Sequence, residues 1–155
     1  MRKTITCTFI TFLAIGCSQP IKPPKLPNVK SPQVDIVDVS LKQQTIDGAR
    51  VETTLTLYNP NNETIPLAKV RYTFNIDGFG SFECTDVPGL SLPAEGYQQL
   101  VLPAAIATAG QDVTGRLYTV HGQISYDPPG EVQEMMQQTG FPLPWISFSR
   151  TGMLE

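Results

Sequence analysis

The chain has 155 residues, with 11 Lys/Arg against 14 Asp/Glu and a formal net charge of −3. The charges are scattered along the sequence instead of forming a basic patch, which argues against a nucleic-acid surface. The sequence has three cysteines and one histidine, too few for most histidine metal sites and nucleophilic triads.

The first sixteen residues have the pattern of a secretory signal. A positively charged start is followed by an uncharged apolar stretch from Ile5 to Gly16. This stretch is too short to cross a bilayer as a helix, which takes about 18 residues or more. Small residues then precede Cys17, and this pattern resembles the lipobox of bacterial lipoproteins. The resemblance implies that the Cys17 thiol is acylated; the alternative is an ordinary signal peptide with an incidental cysteine.

Residues 17–33, called the tether below, join the candidate lipid site Cys17 to a run rich in proline and lysine. Ser18 to Gln33 contains five prolines, three lysines and no acid. Because proline fixes φ and has no main-chain N–H, this composition predicts a semi-rigid spacer without a packed core. The tether therefore predicts a domain, residues 34–155, that is held off a membrane. Ser18 stands where an aspartate signals inner-membrane retention in some bacteria, so the resemblance favours the outer membrane, facing the periplasm.

From Val34 onward, apolar and polar residues alternate with a period of two, as they do in half-buried strands. The clearest strand runs from Val70 to Ile76, with Val70, Tyr72, Phe74 and Ile76 on one face. The other predicted strands contain Val37, Val39 and Leu41; Val51, Leu55 and Leu57; Phe82 and Cys84; Leu100 and Leu102; Tyr118 to Tyr126; and Ile146 and Phe148. About seven strands separated by turn signals predict an all-β fold, an antiparallel β-sandwich.

One segment has a helical pattern. The stretch EVQEMMQQTG, which follows Pro128-Pro129-Gly130, has early acids and a glycine, Gly140, that suits a C-terminal cap. A helix of about two turns is too short to be stable alone, so we expect Val132, Met135 and Met136 to dock on the edge of the sandwich. At helical spacing, methionines serve more often in a core than in a ligand site. Residues 105–117 show no strong period and predict a loop.

The polar stretch at residues 59–62, Asn-Pro-Asn-Asn, interrupts one strand before apolar residues resume. Pro60 has no N–H to give to a strand ladder, so a central strand cannot run through it. Asparagine side chains bond to nearby main-chain groups, which suits Asn59 and Asn61 to closing a corner before a strand that restarts near Leu67. We therefore expect a structural corner. A metal or sugar site would need converging carboxylates, and only Glu63 is nearby.

The order of these elements resembles the late-embryogenesis-abundant (LEA) type 2 proteins, which include the water-stress and hypersensitive-response (WHy) domain. The resemblance spans roughly Val34 to Gly152 and rests on Tyr58-Asn59-Pro60-Asn61, Ile65-Pro66-Leu67, Leu92-Pro93-Ala94 with Gly96, Tyr118-x-x-x-Gly122 and Phe148-x-x-x-Gly152. It implies an immunoglobulin- or fibronectin-III-like sandwich with one short helix, no catalytic residues, and a link to desiccation or other stress.

Few residues offer chemistry for catalysis. His121 is predicted to face outward, and Cys84 lacks the basic neighbour that would lower a thiol pKa, so we expect it to pack as a small hydrophobe. Two acid pairs fit solvated faces better than a catalytic role: Asp35 with Asp38, and Glu131 with Glu134. We expect no enzymatic activity, no metal, no cofactor and no small-molecule substrate.

Two non-enzymatic functions remain open. The first is protection of membranes or proteins during water loss by a domain anchored through Cys17, whose predicted outward polar residues include Thr54, Thr56, Thr73, Asn75, Gln123 and Ser125. The second is a docking module of the cell envelope, in which an exposed strand edge accepts a protein partner. The family resemblance favours the first function.

Overall fold

The structure is a computed structural model that describes residues 29–155. In chain order its elements are β1 (Gln33–Gln44), β2 (Gly48–Tyr58), β3 (Ile65–Ile76), β4 (Gly80–Asp86), β5 (Ser91–Leu92), β6 (Tyr97–Ala107), β7 (Leu117–Tyr126), α1 (Glu131–Thr139) and β8 (Trp145–Met153). The first sheet has the order β1-β2-β6, and the second has the order β4-β3-β7-β8, with β5 paired to the start of β3. All strand pairs are antiparallel, so the predicted all-β sandwich is confirmed.

The core lies between the two sheets and follows the alternation of the sequence. In β3, the predicted set of Val70, Tyr72, Phe74 and Ile76 is buried, while the residues between them face away from the core. The facing strand β2 contributes buried side chains with the same period of two. Because the strands bury one face, the outer faces of both sheets carry mainly polar side chains.

One predicted side-chain orientation and two predicted strand boundaries differ from the structure. Val37 is 52% exposed because a register shift between Ile36 and Asp38 places a bulge there, which turns its side chain away from the core. The strand after the Asn-Pro-Asn-Asn stretch restarts at Ile65, earlier than Leu67, because β5 pairs with its first two residues. Residues 105–107 belong to β6 and not to a loop, since they pair with the start of β2.

The predicted helix forms as α1 and ends at Gly140, whose φ of 69° is the left-handed conformation expected of a C-terminal cap. Val132, Met135 and Met136 are half-buried, and no residue of α1 is fully buried. The helix is therefore attached to the sandwich more loosely than the expected docking of its methionines implies.

Polar side chains connect the two sheets along both edges of the sandwich. At one edge, the Tyr72 hydroxyl of β3 donates a hydrogen bond to the main-chain carbonyl of Pro103 in β6. At the other edge, the Arg150 guanidinium of β8 donates to the carbonyl of Ile36 in β1 over 3.0 Å. The two contacts join the sheets by hydrogen bonds in addition to the hydrophobic core.

Candidate functional site at the Asn corner

The corner between β2 and β3, residues 59–64, is called the Asn corner below. It leaves β2 after Tyr58 and enters β3 at Ile65. Asn59 is 0% exposed and Asn61 is 8% exposed, so two amide side chains are buried at a turn. Buried polar groups are costly unless they are hydrogen-bonded, and the partners of these two amides therefore define what the corner does.

Asn59 binds three separate main-chain carbonyls with one amide group. Its Nδ2 donates to the carbonyls of Glu63 at 2.7 Å, Pro93 at 3.1 Å and Leu92 at 3.3 Å. Its main-chain N–H donates to the carbonyl of Gly96 at 3.0 Å. Asn59 thus joins the Asn corner to β5 and to the loop of residues 93–96, which the sequence places more than thirty residues away.

The carbonyl end of Asn59 organises the corner itself. Asn59 Oδ1 accepts hydrogen bonds from the Asn61 main-chain N–H at 3.0 Å and from Asn61 Nδ2 at 2.9 Å. The first of these bonds spans two residues and is the hydrogen bond of an Asx turn, for which Pro60 supplies a preset φ. Since carbonyl acceptors surround the nitrogen and N–H donors surround the oxygen, the orientation of the Asn59 amide is fixed by its partners.

Asn61 holds the end of the tether. The Lys30 main-chain N–H donates to Asn61 Oδ1 at 2.9 Å, and Asn61 Nδ2 donates to the Lys30 carbonyl at 2.8 Å. This two-point contact uses a side-chain amide as a strand would use a peptide group. Tyr126 makes a longer contact of 3.4 Å with the Ser31 hydroxyl, and Pro32 is buried. Contacts with the sandwich therefore begin before Val34.

The structure brings Asn59, Pro60 and Asn61 into one hydrogen-bonded unit with the tether. That these residues serve the fold and not a ligand stays a prediction, since both functions would use the same buried amides. Cys17, the predicted lipid site, lies outside the described residues. The hydrogen bonds between Asn61 and Lys30 were not predicted from the sequence. The two residues are 31 positions apart, and no local sequence pattern indicates that they pair.

The remaining candidate residues are separate from this corner. His121 is exposed on the outer face of β7, opposite Thr73 and Ser149. Cys84 is half-buried and lies opposite Tyr72. Within residues 29–155, no group of three or more His, Cys, Asp or Glu side chains could hold a metal ion.

The four carboxylates of the two predicted acid pairs are all exposed. Asp35 is exposed on β1, Asp38 accepts a hydrogen bond of 2.9 Å from the Ser40 hydroxyl, and both glutamates of the first turn of α1 are exposed.

Among the helices described in residues 29–155, none is long and apolar enough to cross a membrane.

No protein-family model and no curated protein sequence matches the chain. Its fold, however, is similar to solved structures. The solution structure of a candidate LEA protein superposes with a TM-score of 0.56 at 22% identity, over 83% of this chain and 73% of that chain. The solution structure of a protein from Arabidopsis thaliana gives a TM-score of 0.56 at 23% identity, over 87% and 89%. At these identities the similarity establishes a shared fold.

A third solved structure has the same fold. The X-ray structure of a structural-genomics target superposes with a TM-score of 0.55 at 12% identity, over 78% of this chain and 86% of that chain. The three structures together show that this fold is found in other proteins, one of them a candidate LEA protein.

Proposed function

We propose that this chain is a lipid-anchored, non-catalytic protein of a bacterial cell envelope whose sandwich protects membranes or proteins as water is lost. The lipobox-like pattern before Cys17 supports the anchor. The fold shared with a candidate LEA protein supports the link to stress.

The observation that carries this proposal is the outer face of the second sheet. Its outward positions on β3, β7 and β8 include Lys69, Arg71, His121 and Trp145, but the largest group is of hydroxyl and amide side chains: Thr73, Asn75, Thr119, Gln123, Ser125, Ser147, Ser149 and Thr151. Few of them bond to one another; Thr119 and Thr151, for example, make a contact of only 3.4 Å. Such groups bind water in solution and can bind headgroups or protein surfaces when water is removed.

The outer face of the first sheet has a different chemistry. Arg50 and Glu52 form an ion pair of 2.9 Å there, and Val101 is 47% exposed. Thr54 and Thr56 lie on this face, so the outward polar residues expected from the sequence are divided between opposite sides of the sandwich. The second sheet therefore offers the larger set of hydroxyl and amide side chains.

The proposal is tested by drying a client enzyme with residues 18–155 and measuring the activity and the aggregated fraction after rehydration. We expect less aggregation than with an equal mass of an unrelated β-sandwich of matched charge. Replacing Thr73 and Thr119 by Val should reduce the protection, whereas the matched pair Thr54→Val and Thr56→Val should reduce it less. Equal protection by the unrelated sandwich would remove the stress function and leave the docking module as the better proposal.

A further inference from the structure

The exposed aromatic side chains gather at one end of the sandwich. This end, called the tether end below, consists of residues 29–32, the Asn corner, the loops of residues 93–97 and 127–130, α1, and residues 140–145. Tyr97 is 69% exposed, Phe141 is 68% exposed and Trp145 is 57% exposed. Tyr97 starts β6 opposite the last residue of β2, and Trp145 starts β8 next to the end of β7, so both lie at this end.

The segment Phe141-Pro-Leu-Pro-Trp145 presents three exposed apolar side chains at alternate positions. Phe141, Leu143 and Trp145 are exposed, and each of the two prolines between them has a fixed φ. The carbonyl of Pro144 accepts a hydrogen bond from the Tyr126 N–H at 3.1 Å, which holds the segment against the end of β7. Because the segment is stiff, burying its side chains elsewhere costs little conformational entropy.

The opposite end of the sandwich differs in kind. Its exposed large apolar residues are Ile46, Leu117 and Met153, all aliphatic. Tryptophan, tyrosine and phenylalanine favour membrane–water interfaces, where an apolar ring and a polar rim are both accommodated. Within residues 29–155, the exposed Phe, Tyr and Trp side chains lie at the end where the tether joins the domain. A surface that contacts the membrane would be expected at this end.

The charges around the proposed surface are mixed. The loops and helix of the tether end carry Glu63, Glu95, Asp127, Glu131 and Glu134 against Lys30. Beside Trp145, on the outer face of the second sheet, lie Lys69 and Arg71. Attraction to anionic headgroups depends on larger clusters of lysines and arginines. The inference below therefore rests on the apolar side chains.

We propose that the tether end is a bilayer-contact surface, with Phe141, Leu143 and Trp145 inserted at the boundary between headgroups and acyl chains. This inference rests on the anchor of the proposed function. Eleven residues separate Cys17 from Val29, which at about 3.1 Å each allow roughly 35 Å of reach. A tether of this length raises the effective concentration of the domain at the membrane, so a contact too weak to bind alone becomes occupied.

The test uses Trp145, which is the only tryptophan of the chain and lies in the proposed surface. Residues 17–155 carrying Cys84→Ala are coupled through Cys17 to a maleimide lipid in zwitterionic vesicles, so that anchoring does not depend on acylation in cells. We expect the Trp145 emission to shift to the blue, and lipids brominated near the headgroup to quench at least half of it. Phe141→Ser with Leu143→Ser should abolish most of this quenching.

A matched pair of substitutions at the opposite end serves as control. Leu117→Ser with Met153→Ser also removes two exposed apolar side chains, which are 49% and 64% exposed, and should leave the quenching unchanged. The inference is overturned if a water-soluble quencher fully quenches Trp145 on the coupled vesicles. It is also overturned if the two pairs of substitutions reduce the lipid quenching equally. If the Trp145 emission shifts to the blue without vesicles as the protein concentration rises, and sedimentation shows a dimer over the same range, the surface binds a second copy of the chain.

These outcomes separate the inference from the proposed anchor. If Trp145 stays exposed on coupled vesicles while cells still acylate Cys17, the bilayer contact fails and the anchor stands. If cells do not acylate Cys17 but Trp145 is quenched on coupled vesicles, the surface binds lipid and the anchor fails.

Discussion

The ring of Tyr118 on β7 lies over Gly152 on β8, directly opposite it in the strand register, and a Cβ at position 152 would come within 2.7 Å of the Tyr118 hydroxyl oxygen. Further along the same two strands the arrangement is inverted, because Phe148 of β8 lies over Gly122 of β7. Tyr118 also stacks on Phe74, with ring centroids 5.6 Å apart. Each glycine thus leaves room for an aromatic ring of the facing strand.

Gly152→Ala should lower the free energy of unfolding by about 1–3 kcal/mol, as overpacking of a core does. Gly122→Ala should cost at least as much, because its Cβ would also lie 2.6 Å from the main-chain oxygen of Arg71, which cannot move without disturbing the sheet. Urea denaturation of both variants measures the effect. In a double-mutant cycle, Tyr118→Leu should compensate Gly152→Ala but not Gly122→Ala; additive losses in both cycles would contradict this packing.

The strands were predictable because their periodicity is local. In β3, alternating large apolar residues identify the strand and its buried face without any knowledge of partners. The same reasoning fails at Val37, where a bulge changes the face, since a bulge depends on the pairing with β2. It also misses Val113 and Leu154, which are 0% and 1% exposed but lie outside the strands and have no periodic neighbours.

The candidate site was predictable only in part. The residue types of Asn59, Pro60 and Asn61 indicate a corner, because proline stops a ladder and asparagine bonds to local main chain. Their long-range partners, Leu92, Pro93 and Lys30, are set by the packing of distant segments. A single sequence contains no pairwise signal for such contacts.

Tyr72 should make the domain sensitive to alkaline pH. Burial, with smaller contributions from Cys84 and Asp86, raises the pKa of Tyr72 well above its usual value of about 10. The unfolded chain therefore loses this proton first, so the contribution of Tyr72 is fully present below about pH 10 and is lost as the pH rises further. Urea denaturation between about pH 8 and pH 11 should show stability falling at the upper end of this range.

Tyr72→Phe should flatten this alkaline loss. At neutral pH the variant should be about 1 kcal/mol less stable, because the carbonyl of Pro103 loses its donor. Tyr97→Phe is the control, since Tyr97 is 69% exposed and its substitution should change neither value. An unchanged alkaline slope in Tyr72→Phe would assign the pH dependence to other groups.

Cys17→Ser should release the protein from the membrane fraction or block its processing, because the hydroxyl does not replace the thiol in lipoprotein maturation. Fractionation and intact mass of the protein from cells measure the outcome. Cys84→Ser is the control, since Cys84 is a half-buried residue of β4 and its substitution should leave anchoring unchanged. Membrane retention of Cys17→Ser with an unchanged mass would defeat the lipid anchor.

Asn59→Ala should be among the more destabilising single substitutions of the loops. It leaves the carbonyls of Glu63, Leu92 and Pro93 without this donor in a buried site, at a cost of about 1–3 kcal/mol. Asn59→Asp keeps the shape but cannot donate, so it should be destabilised as well. Thermal unfolding measures both. If stability held while binding of a membrane or client vanished, the Asn corner would be a ligand site.

Asn61→Ala should loosen the tether with a smaller global effect, about 1 kcal/mol. In the native protein, the Lys30 N–H is bonded to Asn61 Oδ1 and should be protected from hydrogen exchange. The variant should exchange this proton much faster, while amides in the centre of β3 stay protected. Asn62→Ala, at an exposed neighbouring position, is the control. Unchanged exchange at Lys30 in Asn61→Ala would show that this amide does not hold the tether. Faster exchange would show that the Asn61 side chain holds Lys30 against the sandwich.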